Sequence, residues 1–207
     1  SVKPNLIVSD SRGAWFRATI LFILALIGTV GMWSVVVFIP DIEKEFGLDR
    51  GTSSLLYAFT MIGFGFGTVV IGKVYDKFGI KKPILLATFV LIISYYFYSI
   101  FPFYWQFLIL QFFMGFAASA FFGPAMADIS NFFNKQRGFA LSIVASANYV
   151  AGATWPLLIG YFLTFIDWRA AHFWISICLF IMIPLILLLK IASVDESKSH
   201  DTKQRYK

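Results

Sequence analysis

Between Pro83 and Ala127 no residue carries a charge. About 20 apolar residues of helix cross the hydrocarbon of a bilayer, so a stretch of this length must cross twice. The reversal falls at Phe101-Pro102-Phe103-Tyr104-Trp105, where a proline interrupts the helix and an aromatic belt marks the membrane interface. Four further segments lack Asp, Glu, Lys and Arg and are long enough to cross once. The chain therefore reads as an all-α membrane protein with spans near 18–39, 52–71, 83–102, 104–127, 138–166 and 170–189. Only 14% of its residues are charged, against about a quarter in soluble domains, so most of the chain faces lipid or packs inside the membrane.

The lipid bilayer is thus the first partner. A net charge of +6 would suit nucleic acid, but the basic residues gather at span ends and build no reading surface, so no nucleic-acid partner is expected. Six spans put both termini on one side. Of the 17 Lys and Arg, all but Lys44, Arg50 and Arg169 fall on that side, which places the termini in the cytoplasm by the positive-inside rule. Residues 1–17 are expected as a polar cytoplasmic tail or short interfacial turn, 40–50 as an external loop, and 191–207 as a disordered or weakly helical cytoplasmic tail.

The connection between spans two and three reads Gly72-Lys-Val-Tyr-Asp76-Lys77-Phe-Gly79-Ile-Lys81-Lys82. Gly72 lets a helix backbone approach a neighbour, Gly79 permits a tight reversal with positive φ, and Asp76 stands alone among four lysines, which calls for a specific partner. The pattern resembles the cytoplasmic signature of the major facilitator superfamily, Gly-x-x-x-Asp-(Arg/Lys)-x-Gly-x-(Arg/Lys)-(Arg/Lys), with Ile80 replacing a frequent basic residue. The resemblance covers residues 15–190 and implies one half of a twelve-span carrier. A second six-helix half, from a missing C-terminal portion or another chain, is then the expected partner, and 191–207 would begin a central linker.

Transporter folds of this kind contain inverted repeats. Here Asp41-Ile42-x-x-x-Phe46-x-x-x-Arg50-Gly51 recurs as Asp128-Ile129-x-x-x-Phe133-x-x-x-Arg137-Gly138, at an offset of 87 that Gly28/Gly115 and Gly65/Gly152 share. One copy lies outside and the other inside, as a 3+3 inverted repeat requires. Each copy sets an Asp at the end of one span and an Arg at the start of the next, so Asp128 is expected to pair with Arg137, and Asp41 with Arg50. By the resemblance, Asp76, Lys77, Asp128 and Arg137 form an inner-rim charge cluster that latches the two halves when the carrier opens outward. The plainer reading is that these charges only fix topology.

No enzyme constellation is visible, and no cofactor or metal is expected. His172 and His200 fall on opposite sides, Cys178 is alone in a span, and Gly63-Phe64-Gly65-Phe66-Gly67 lacks the strand–turn–helix setting of a phosphate loop. Gly63 and Gly67, four apart, suit a close helix crossing, and Gly152, Pro156 and Gly160 suit a bend with close packing in span five. That trio partly resembles an exporter element, with Trp155 and Ile159 where glycine is usual. No acid, Lys or Arg lies deep in a span. Where the family often has an arginine in span four, Gln111-x-x-x-Gly115 stands instead, which argues against proton coupling through this helix.

The polar residues left near the midplane are candidate cavity-lining groups: Trp33, Tyr57, Gln111, Ser119, Asn148, Tyr149 and Trp155. Asn148 and Gln111 either face a wet cavity or make interhelix hydrogen bonds. The run 132–140 and the turn Asp167-Trp168-Arg169 resemble the monocarboxylate and oxalate/formate branch. The expected function is secondary active transport of a small solute, an organic anion on that resemblance, by alternating access in a bacterial inner membrane. The alternative is a transporter-like sensor or assembly subunit without flux.

Overall fold

The computed structural model describes residues 7–189. The sequence readings of the first few residues and of the tail 191–207 fall outside the described residues. Nine α-helices and two 3₁₀ turns are found among the described residues, and they assemble into six rods long and apolar enough to cross a membrane: Arg12–Phe46, Arg50–Phe78, Lys81–Ile100, Tyr104–Ser130, Arg137–Phe162 and Trp168–Leu188.

The first rod is α1 (Arg12–Gly28) and α2 (Val30–Phe46), broken at Thr29. It starts earlier than the apolar run, because Ser11 caps α1 by accepting from the Ala14 amide, and it ends later. Pro40 does not end it. α2 runs through Pro40 to Phe46 and stops at Gly47, whose φ of 62° is the left-handed cap conformation. The loop expected over 40–50 is therefore helical for most of its length: proline removes one N–H and one bond, and the surrounding helices hold the rest of the turn.

The second and third rods, α3 (Arg50–Phe78) and α4 (Lys81–Ile100), are each unbroken. The fourth is α5 (Tyr104–Ala118), a 3₁₀ turn at Ser119–Phe121, and α6 (Gly123–Ser130). The fifth is α7 (Arg137–Phe162), continuous through Pro156. The sixth is α8 (Trp168–Cys178), a 3₁₀ turn at Leu179–Ile181, and α9 (Met182–Leu188). Asp49 and Asp167 cap α3 and α8, accepting from the amides of Thr52 at 2.6 Å and Ala170 at 2.8 Å. The same Thr52 contact holds the Asp49 carboxyl below the usual aspartate range.

Rods one and four, which the inverted repeat pairs, are both broken near mid-length, and the two breaks touch. A Cβ on Gly28, just before the Thr29 break, would sit 2.1 Å from the ring of Phe121 in the break of rod four. The tightest helix pair is α3 on α5. A Cβ on Gly63 would lie 1.9 Å from the Phe112 carbonyl oxygen, and one on Gly115 would lie 1.8 Å from that of Thr60. Without hydrophobic drive between helices in lipid, such backbone-to-backbone contact is what holds them together. α4 packs on α5 and α8, and α1 and α2 pack on α7.

The core is aromatic towards the α4–α5 connection, where Phe38, Tyr95, Tyr98 and Phe107 are fully buried. His172 lies flat on Tyr98, with centroids 4.1 Å apart at 6°. Its Nδ1–H donates to the Trp168 carbonyl, so this histidine is a stacked core residue. α3 and α7 keep open faces: Phe66 and Val69 on α3 are each 60% exposed, and Tyr149 and Leu157 on α7 are 76% and 75% exposed.

Candidate functional site

The 73–82 hairpin turns at Gly79, whose φ is 78° and whose amide donates to the Tyr75 carbonyl at 2.8 Å. A side chain there would be strained whatever the space around it. Ile80, Pro83 and Ile84 are buried and anchor the turn. Asp76, Lys73, Lys77 and Lys82 are exposed and Lys81 is half-buried. Among the described residues Asp76 makes no ion pair and no hydrogen bond. Gly72 has nothing within 4 Å of the position of a Cβ, so the close neighbour expected for it is not supplied from within this bundle.

Asp128 lies at the same end of the bundle but in a different setting. It is buried in α6 and gripped by Arg17 of α1, with Nε to Oδ2 at 2.7 Å and Nη2 to Oδ1 at 2.9 Å. The guanidinium also lies over the Phe132 ring, 4.5 Å from its centroid. The expected Asp128–Arg137 pair is therefore replaced. Arg137 begins α7 and its Nε donates to the Phe133 carbonyl at 3.0 Å, turning the guanidinium back over its own loop. The other expected pair changes too: Arg50 meets Glu43 at 3.0 Å, not Asp41. α2 is helical here, and residue 43, not 41, falls on the side facing the start of α3.

Residues that sequence reasoning passed over complete this end. Asp10, with φ of 56°, offers its carboxylate to three successive amides, those of Asn134, Lys135 and Gln136, at 3.0–3.3 Å. It thereby caps the approach to α7 from a distant part of the chain. Trp15 Nε1 donates to Gln136 Oε1 at 3.1 Å, and Asn131 donates to the Tyr75 hydroxyl at 3.4 Å, tying α3 to the loop after α6. At the opposite end Arg169 holds Glu45 at 3.0 Å and the Phe101 carbonyl at 2.7 Å, while Trp168 Nε1 donates to Glu45. That cluster joins α2, the end of α4 and the start of α8.

Near mid-length the candidate groups separate into satisfied and open ones. Gln111 is buried, donating to Thr60 Oγ1 at 2.7 Å and reaching the Gly31 carbonyl at 3.5 Å, an interhelix bond among rods four, two and one. Ser119 donates to the Phe116 carbonyl inside its own turn. Trp155 Nε1 donates to the Leu26 carbonyl at 2.7 Å, in the last turn of α1, where carbonyls lack a following turn to bond. Trp155 also lines an apolar groove of about 500 Å³ with Ile27, Phe162, Trp174 and Cys178. Trp33 Nε1 donates to Asn148 Oδ1 at 3.2 Å, both half-buried, and the Trp33 ring packs on Gly152, where a Cβ would be 3.1 Å away. Tyr57 and Tyr149 are exposed, and Gly160 faces open space, so it makes no close crossing here.

A broken six-rod bundle with a Gly/Asp/Gly hairpin at one end has a counterpart in known sequences. The model of the Major Facilitator Superfamily matches residues 21–206. The chain belongs to that superfamily. It is an integral membrane protein and has the fold of one six-helix half. Among its curated relatives are the agnestins efflux protein AgnL12 of Paecilomyces divaricatus, 26% identical over 93% of this chain and 46% of the relative. Another is the uncharacterized MFS-type transporter YdgK of Bacillus subtilis, 25% identical over 83% and 44%. The inner membrane transport protein YnfM of Escherichia coli is 23% identical over 82% and 41%. The chain thus spans less than half the length of these relatives. They come from fungi and from bacteria, so they do not select a bacterial membrane, and the match reaches the superfamily without singling out the monocarboxylate branch.

Proposed function

We propose that this chain is the first six-helix half of a secondary active transporter that carries a small organic solute by alternating access. In this reading the 73–82 hairpin and both termini face the cytoplasm, a second six-helix bundle packs on the open faces of α3 and α7, and the solute binds between the halves. The observation that carries it is Asp76. A carboxylate at the end of a membrane helix, among four lysines yet without an ion pair among the described residues, is a group kept for a partner beyond this bundle. Gly72, one turn earlier and open, leaves room for that partner's backbone. The cytoplasmic side follows from the Lys and Arg distribution.

Family membership and the absence of any sequence signature for covalent chemistry favour transport over catalysis. An organic anion needs a cation or a helix N-terminus in the cavity. No Lys or Arg lies at mid-span among the described residues, so the second half would have to supply that charge. The test is Asp76→Asn in the carrier with both halves present, in cells or proteoliposomes. Truncating one member of a charge pair that the second half covers and hydrogen-bonds costs about 2–5 kcal/mol, so exchange should fall at least tenfold with membrane level and helicity unchanged. Unaltered exchange would remove the latch reading.

A further inference from the structure

The hairpin carries more positive charge than its own chain neutralises. Lys73, Lys77, Lys81 and Lys82 face one acid, Asp76, and none of the five makes an ion pair among the described residues. Two of the lysines nevertheless reach the same aromatic ring. The Nζ atoms of Lys77 and Lys82 lie 5.2 and 4.0 Å from the centroid of the Phe78 ring, one from the end of α3 and the other from the start of α4. The ring is itself 47% exposed. The turn that sets this spacing is anchored, through the Gly79 amide on the Tyr75 carbonyl and the buried Ile80. Two ammonium groups converging on one ring repel each other, and the quadrupole of an exposed ring offsets this only partly. An anion drawn to both would offset the repulsion.

Depth narrows the choice of anion. The hairpin joins two membrane-crossing rods, Arg50–Phe78 and Lys81–Ile100, so it lies at the level of the headgroups, with an apolar ring facing out beside the charges. The anion always present at that depth is a lipid phosphate, and lysines clustered just beyond a membrane span are the usual signature of anionic-lipid binding. We propose that Lys77, Phe78 and Lys82 form a binding site for an anionic phospholipid headgroup, the two ammonium groups attracting the phosphate and the exposed ring lying against the first carbons of the lipid. Lys77 also belongs to the expected latch, so the readout is lipid retention and not exchange, which keeps the two readings apart.

Native mass spectrometry of the intact carrier, released from nanodiscs of phosphatidylcholine mixed with phosphatidylglycerol, tests this. The unaltered protein is expected to retain phosphatidylglycerol in preference to phosphatidylcholine. Each lysine near such a surface contributes roughly fivefold in affinity, so Lys77→Gln with Lys82→Gln should lower the preference by about 25-fold. Lys77→Arg with Lys82→Arg should keep it, and Lys135→Gln, a single exposed basic residue on the next loop at the same end, should change it by less than the double substitution does. The proposal is overturned by equal retention of both lipids, by a glutamine pair that binds as well as the unaltered protein, or by loss in the arginine pair. Displacement of the lipid by soluble glycerol phosphate at equal concentration would also overturn it, since the site would then take free phosphate and not the membrane.

Discussion

Replacing Arg17 by alanine removes a buried ion pair between the first rod and the fourth. Its guanidinium and the Asp128 carboxylate retain only 5% and 8% of their side-chain exposure and meet through two parallel bonds. Removing one member of a buried pair leaves the other as an uncompensated charge, at a cost of about 3–5 kcal/mol. For a chain of this size each kcal/mol moves the midpoint by about 2–4 °C, so thermal unfolding in detergent should fall by about 6–20 °C. Asp128→Leu alone should cost a comparable amount, softened by the Phe132 ring that Arg17 already covers. The double variant Arg17→Met/Asp128→Leu removes both charges and fills their space, so it should return close to the unaltered midpoint. The signature is this non-additivity, a coupling of several kcal/mol where independent sites agree within about half a kcal/mol. A loss below about 1 kcal/mol for Arg17→Ala, the scale of an exposed pair, or a double variant equal to the sum of the singles, would refute the reasoning.

Gly63→Ala should separate α3 from α5, because its Cβ would meet the Phe112 carbonyl at 1.9 Å, a backbone atom that cannot swing aside. Overpacking on this scale costs about 1–3 kcal/mol or more, whereas Gly160→Ala, in open space, should leave the midpoint unchanged, and both read out in the same detergent melt. Asp10→Ala removes the acceptor for the amides of 134–136 and should cost about 1 kcal/mol. Hydrogen exchange should then accelerate at those amides and not along the middle of α7. Equal exchange in both proteins would show that another group caps them.

Much of the architecture was written in the placement of charge. The uncharged runs gave the six crossings, and the Gly63/Gly67 spacing gave the α3–α5 contact, because lipid leaves few ways for a chain to satisfy its backbone and small residues are what let helices touch. Two structural features escaped for definable reasons. Pro40 reads in sequence as the end of a helix, although a proline removes only one bond and α2 continues to Phe46. Sequence spacing pairs charges that are near neighbours along the chain, but Asp128 and Arg17 are 111 residues apart. By charge distribution alone Arg17 is an orienting charge at a span edge. The signal was its position one turn inside the helix that Ser11 caps, where a long side chain can reach an adjacent rod.

The two acids that looked alike in sequence are therefore not equivalent. Asp76 and Asp128 both end a span on the same side, and both belonged to the expected latch. A latch that breaks in each transport cycle must trade its partner for water at a small net cost, which suits an exposed carboxylate such as Asp76. Asp128 is gripped by two short bonds inside its own half, and opening that grip in every cycle would leave two buried charges uncompensated. If the halves rock as rigid bodies, Arg17–Asp128 is one of the contacts that keeps this half rigid while the hairpin makes and breaks contact. Transport assays separate the roles. Asp76→Asn should slow exchange without lowering the unfolding midpoint, whereas Arg17→Ala should lower the midpoint, and exchange should recover in Arg17→Met/Asp128→Leu. Failure of the double variant to restore exchange while restoring stability would place Asp128 in the moving latch after all.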